Sequence, residues 1–179
     1  TDLDNIFIVA WTPVGDKFGG EAAMREDLRI LRSLPGVVAA TTINAMPLSG
    51  GGSSSSMYTQ PGEKGRRVDM NYFEVDEQGA QTLGVKLIAG RDLDASAVLK
   101  PGRNSSDFVS EVLVTKAVAD ELYPGESAVG KPVYTGLGQP ATIVGVIDHM
   151  LGSWPSWEKV GNVILVPRFA DENQARYMV

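Results

Sequence analysis

The 179-residue chain contains no cysteine. That excludes disulfides, zinc–thiolate sites and thiol nucleophiles. It has a single histidine, His149, so a two-histidine metal site cannot be built. No stretch approaches the roughly 18 apolar residues that a membrane-crossing helix needs. The longest, around Ile143 to Ile147, has the length of a strand. Basic side chains are also scarce. Sixteen Lys and Arg against 22 Asp and Glu leave a net charge of −6, whereas a nucleic-acid binder needs a basic face. The acidic residues show no calcium-loop spacing. The 43% hydrophobic content is that of an ordinary globular chain, long enough for one domain or two small lobes. The chain opens on Thr1 rather than Met, which reads as a piece of a longer protein.

What is present reads as alternating strands and helices. "NIFIVAW", residues 5–11, is an apolar, β-rich run and predicts a buried strand. Glu21 to Leu34 is the clearest helix: Met24, Leu28 and Leu31 share one face, and Pro35-Gly36 stops it. "VVAATTI", residues 37–43, predicts a second strand, so the three make a βαβ unit with a right-handed crossover. "SGGGSSSS", residues 49–56, is a low-complexity tract expected to be flexible. Beyond it, residues 67–75 predict a strand, 77–83 a short helix, and "VKLIAG" another extended piece. Residues 93–107 read as a long polar loop carrying the Asn104-Ser105-Ser106 sequon. "EVLVT" predicts a strand, with Thr115 as the cap of a helix reaching Leu122. "PVYTG" and "ATIVGVI" predict a strand pair joined by a glycine-rich turn, and "NVILVP" and "ARYMV" two last strands.

One segment tempts a nucleotide reading. "GESAVGKP", Gly125 to Pro132, fits the G-x-x-x-x-G-K frame of a phosphate loop. Such a loop needs a strand before it and a helix after it, because the helix N-terminus and the loop amides hold the phosphates. Here the predicted order is reversed, and Pro132 offers neither an N–H nor a hydroxyl. "LSGGG", residues 48–52, precedes this segment, whereas in transport ATPases the signature loop follows it. Neither reads as a nucleotide site. His149 lies beside Asp148, but neighbouring strand residues face opposite ways, and no G-x-S-x-G elbow is present. A solvated turn histidine is the better reading. No catalytic, metal or cofactor site emerges. "GSWPSWEK" carries Trp154 and Trp157 around a proline. They are either core residues closing the end of a sheet or an exposed partner contact.

Four blocks in order carry a family resemblance across nearly the whole chain: "LRSLPGVVAATTINAMPLSGG", "TLGVKLIAGRDL", "VLVTKAVADELYPGESAVGKPV" and "TIVGVIDHM", followed by "NVILVP". Together they resemble the MacB-like periplasmic core domain of ABC-transporter permeases of the MacB, LolC/LolE and FtsX type. Two departures stand out. "DEQGA", Asp76 to Ala80, replaces the family's Pro-x-Tyr-Phe-like turn, and the chain stops at Val179 before a further strand, helix and strand.

The resemblance implies an α+β fold of two lobes. A discontinuous βαβ-based, membrane-proximal lobe would comprise residues 1–48 and 142–179, and an inserted mixed α/β lobe residues 49–141. The implied role is non-catalytic: an extracytoplasmic domain, on the periplasmic face of an inner-membrane protein, that passes ATP-driven motion to a substrate or partner. The implied partners are the permease's own transmembrane helices, a cytoplasmic ATPase acting indirectly, and a second permease copy or a periplasmic protein. No nucleic acid, nucleotide or other cofactor is implied. Trp154 and Trp157 are the first candidates for a partner contact, and Ser53 and Ser54 of the serine tract the next. Two alternatives remain at this stage: a stand-alone periplasmic module binding a ligand or peptide, and a hydrolase with a Ser or Asp/Glu site of unfamiliar pattern.

Overall fold

A computed structural model describes residues 5–10, 20–100, 108–170 and 176–179. The fold is α+β. The sequon and residues 11–19 lie outside the described residues, as do residues 101–107 of the expected loop at 93–107. The rest of that loop holds one 3-10 turn at Ala95–Ala97 and a bridge from Leu99 to Arg168.

The core strands read as nearly continuous apolar runs because both of their faces are covered. β6 (Glu111–Thr115) and β9 (Val163–Pro167) are buried at every position. Val112, Val114, Ile164 and Val166 point to one cluster; Leu113, Val163 and Leu165, one residue out of phase, point to another. β4 (Lys64–Val75) shares the pattern, with Val68 and Met70 in the first cluster and Phe73 and Val75 in the second. The first cluster is completed by α3 (Lys116–Leu122), through Val118 and Leu122. The second takes in Ala80 of α2 (Gly79–Thr82).

β3 (Ser53–Gln60) pairs antiparallel with β4, and β4 runs parallel to β9. β6 lies between β9 and β8 (Pro140–Ile147), and β7 (Pro132–Tyr134) makes the expected hairpin with β8. A single pairing of Tyr58 with Tyr134 joins β3 to β7. The order β8-β6-β9-β4-β3-β7 therefore closes on itself, and β5 (Leu87–Gly90) extends it from β8.

A second, three-stranded sheet has the order β1 (Ile8–Ala10), β10 (Arg176–Met178), β2 (Thr41–Ile43). α1 (Gly20–Ser33) packs on it through Met24 and Leu28, against Ala40, Phe169 and Tyr177. β1 and β2 are both antiparallel to β10, so they run parallel to each other with a strand from the far end of the chain between them. The βαβ unit expected from the sequence is thus a split one.

The pairing divides residues 142–179, expected in one lobe, between the two sheets. Of residues 142–179, only β10 joins the small sheet; β8 and β9 belong to the large one, because strands apolar on both faces must lie between two layers. The two sheets also share a core: Ile43 and Met178 pack in the same cluster as Phe73 and Leu165.

β2 meets β4 along an edge that β3 leaves open. β3 pairs with β4 only as far as Tyr72. Beyond it, Glu74 N–H donates to Asn44 Oδ1 (3.0 Å) and Asp76 N–H to Thr41 Oγ1 (3.1 Å). Asn44 Nδ2 reaches back to Tyr72 O (3.4 Å). Side chains, not a backbone ladder, make this seam.

The serine tract brings a correction. Ser53–Ser56 are not a flexible linker but the start of β3, opposite Tyr72, Asn71, Met70 and Asp69. Ladder hydrogen bonds need no apolar side chain, and Ser56 Oγ adds a bond to Asp69 (2.6 Å). Thr115 precedes α3 as expected but does not cap it; its Oγ1 donates to Gly161 O at 2.9 Å.

Candidate contact surface

At one end of the closed sheet two loops lie against each other: residues 44–52, leading into β3, and residues 148–162, between β8 and β9. Leu48 N–H donates to Gly152 O (2.9 Å) and Gly50 N–H to Ser153 O (2.8 Å). The longer loop is also pinned within itself, by Gly152 N–H to Val160 O (2.7 Å) and Trp157 N–H to Trp154 O (3.1 Å).

The pin beneath both loops is Asn71 of β4, which is fully buried. Its Oδ1 accepts from Ser153 N–H (2.9 Å), and its Nδ2 donates to Asn162 O (3.1 Å) and Lys159 O (3.3 Å). A side chain at residue 152 would strike it: a Cβ there would sit 1.9 Å from Asn71 Cγ. Residue 152 is therefore glycine for lack of room. A Cβ at Gly52 would likewise meet Ser153 Oγ at 2.2 Å. From the other side, Lys159 Nζ holds Glu121 of α3 at 2.8 and 2.9 Å, and Asn162 Nδ2 donates to the same carboxylate at 3.0 Å. Those contacts outweigh the cost of partly burying Glu121 and leave its carboxyl below the usual range.

Trp154 and Trp157 are half-buried. Their rings stack edge to face, with centroids 6.0 Å apart at 85°. They are neither core residues nor free side chains; each is partly exposed and packs against the other. The two sequence candidates flank one contact: Ser53, half-buried, and Ser54, exposed, start β3 immediately after Gly52, which lies against Ser153, and Trp154 follows Ser153. Met46, Leu48 and Leu151 add exposed apolar surface on the same two loops. These three, with Asn71 and Gly152, escape a reading of the sequence alone, where nothing distinguishes them from other strand and loop residues.

The other motifs fall elsewhere. α3 ends at Leu122 and β7 starts at Pro132, so Gly125 to Lys131 joins a helix to a strand. Lys131 is engaged by Glu126 and by the face of Tyr123. His149 is exposed, with Nδ1 at 3.7 Å from Asp148 Oδ2. Among the described residues, no three His, Asp or Glu side chains converge in a way that could hold a metal ion. No described helix is long and apolar enough to cross a membrane.

Neither a family model nor a curated relative matches the sequence. The fold, however, has solved counterparts. The extracellular domain of the noncanonic ABC-type transporter YknZ from Gram-positive bacteria superposes with a TM-score of 0.57 over 98% of this chain and 83% of its own, at 16% identity. The periplasmic region of MacB from Actinobacillus actinomycetemcomitans does so with a TM-score of 0.55 over 87% of this chain, at 18% identity. The fold is that of the MacB periplasmic region and the YknZ extracellular domain. The chain spans 63% of the MacB region. The backbone thus agrees with the resemblance carried by the blocks around Leu34-Pro35-Gly36 and Gly90-Arg91-Asp92.

Proposed function

We propose that this chain is the extracytoplasmic domain of an ABC-transporter permease, lying on the periplasmic face of an inner-membrane protein and passing ATP-driven motion to a substrate or partner without catalysing a reaction itself. The observation that supports this is the fold, shared with the periplasmic region of MacB and the extracellular domain of YknZ. In this reading the permease's own transmembrane helices drive the domain, a cytoplasmic ATPase acts through them, and a second permease copy or a periplasmic protein meets the surface formed by Trp154, Trp157, Ser53 and Ser54.

That surface suits the task. A stiff platform loses little conformational freedom on contact, and the loops here are tied to β4 through Asn71 and to α3 through Lys159. An aromatic anchor in such a place contributes about 2 kcal/mol to an interface. The test is Trp154→Ser with Trp157→Ser in the full-length transporter. Transport should fall while the ATPase still assembles and the isolated domain still melts cooperatively. Undiminished transport would refute the assignment of the surface, and transport that persists after deletion of the whole domain would refute the function.

A further inference from the structure

The seam between the two sheets has Arg32 at its centre, paired with Asp76 and Glu77. The Asp76 side chain is fully buried and accepts from Arg32 Nη2 of α1 at 2.7 Å and from Gln78 N–H at 2.9 Å. Arg32 also donates to Ala40 O, just before β2, through Nε (3.0 Å) and Nη2 (2.7 Å), and to Glu77 at 3.0 Å. Gln78 Oε1 accepts from Ala40 N–H at 3.3 Å. One guanidinium thus ties the small sheet to the end of β4. The second carboxylate oxygen of Glu77 is buried there and has no partner.

We propose that this seam is a hinge on which the three-stranded sheet moves against β4, and that a proton on Asp76 holds it shut. The proposal rests on the motion-transmitting reading above and adds where the domain flexes and what gates it. Continuous ladders resist such movement. A seam of side-chain bonds to Thr41, Asn44 and Asp76 can give way by rotating a few side chains, with Ile43 and Met178 staying packed against Phe73 and Leu165 as the pivot and β2 and β10 keeping their own pairing.

The charges around Asp76 set the direction. α1 presents Arg32; the residue after Asp76 is Glu77; β2 offers only the Thr41 hydroxyl, and α2 the uncharged Gln78. A cleft of about 340 Å³ beside the pair is bordered by Arg25 and Arg29, which are ion-paired with Glu21 and Glu26. Arg168, past β9, donates its backbone N–H to Val75 O. The charges that act on Asp76 are thus the Arg32 guanidinium and the Glu77 carboxylate. Burial raises the Asp76 carboxyl to about 6, outweighing the attraction of Arg32, and Glu77 pushes the same way. In an opened seam the carboxyl is hydrated and returns towards its ordinary 3.8. The closed form thus holds the proton more tightly. Protonation closes the seam, and raising the pH through about 6 favours opening. A gap of about two units corresponds to an opening constant about a hundredfold larger at high pH than at low pH.

Because the chain has no cysteine, Ser33→Cys on α1 and Thr142→Cys on β8 can be spin-labelled without background. Pulsed dipolar spectroscopy at about pH 4.5 and about pH 8 reads the separation of the two sheets. The expected result is one distance at the lower pH and a second, growing population at the higher. The response should vanish in Asp76→Asn and persist in His149→Gln, the control for the one histidine. Thr41→Val, which removes a seam bond and keeps Asp76, should enlarge the second population at both pH values and serves if Asp76→Asn does not fold. A distribution that ignores pH, or a response unchanged in Asp76→Asn or by Thr41→Val, overturns the hinge. Because no transport is measured, such a result leaves the permease reading standing. Loss of the permease reading in the transport assay would in turn leave these distances unchanged.

Discussion

Gly152 and Asn71 offer a quantitative test of how the contact surface is held. Replacing Gly152 with Ala puts a Cβ 1.9 Å from Asn71 Cγ and 2.1 Å from both its Nδ2 and Oδ1. No rotation of an alanine relieves that, so the Asn71 side chain must leave. It then gives up its bonds to Ser153 N–H, Asn162 O and Lys159 O. Asn162 O keeps the Asn71 backbone N–H at 2.7 Å, and Lys159 lies near solvent. The main loss is the buried Ser153 N–H, at about 1–3 kcal/mol, with about 1–2 kcal/mol of overpacking strain beside it. Gly152→Ala should therefore cost about 3–4 kcal/mol. Asn71→Ala removes the same bonds without the clash and should cost about 2 kcal/mol, lowering Tm by about 4–8 °C. In the double variant the three atoms in the way are gone, so it should cost no more than Asn71→Ala alone, and the two costs should fall short of additivity by about 3–4 kcal/mol. Urea unfolding followed by far-UV circular dichroism gives the four stabilities, and hydrogen exchange at Leu48, Gly50 and Ser153 shows whether the loops come loose. Additivity within about 0.5 kcal/mol, or a Gly152→Ala protein as stable as its parent, would show that the loops are not pinned by Asn71.

The paired half of the serine tract, Ser53–Ser56, should exchange its ladder amides slowly; rapid exchange throughout would mean that β3 begins later than Ser53. Because Asp76 has a raised pKa in the folded protein, its contribution to stability is full below 3.8 and is lost as the pH rises through about 6. Asp76→Asn should therefore gain up to about 3 kcal/mol relative to the parent between low and neutral pH in denaturant titrations; a constant difference would refute the shift. Gly90 has φ +77°, and a Cβ there would sit 2.2 Å from Val144 O. Gly90→Ala should cost about 2–3 kcal/mol and weaken the β5–β8 pairing, with an unchanged Tm the contrary result. Calorimetry with ATP and magnesium should show no heat of binding; micromolar affinity abolished by Lys131→Ala would revive the phosphate-loop reading.

The parts that were legible from the sequence share a physical trait: their own residues decide them. β6 and β9 are apolar at successive positions because both faces are covered, and no other element would tolerate that. α1 shows its face through Met24, Leu28 and Leu31 and its stop through Pro35-Gly36. The insertion of β10 between β1 and β2 was not legible, since three residues, Arg176–Met178, hold no record of which edge they join. The role of Ser53–Ser56 was hidden for a related reason: composition measures what a segment can bury, whereas β3 is held by backbone bonds to β4. Of the contact surface, the tryptophans were conspicuous. Their support was not, because Asn71 acts through residues 82 and 91 positions away.

The position of β10 has a consequence for how the chain is made. The small sheet cannot form until Arg176–Met178 has been made, because that segment is its middle strand and follows every strand of the large sheet. Until then β1 and β2 have no common neighbour, and α1 lacks Tyr177, one of the side chains it packs against. Contacts between residues about the whole chain apart form slowly, since a long loop must close before they stabilise anything. The large sheet, whose strands lie between residues 53 and 167, can mature first and present the open edge of β4 as a template. Substitutions at Arg176 to Met178 should accordingly lengthen the time for which α1 and β2 are open to proteases, even where the finished protein is barely less stable.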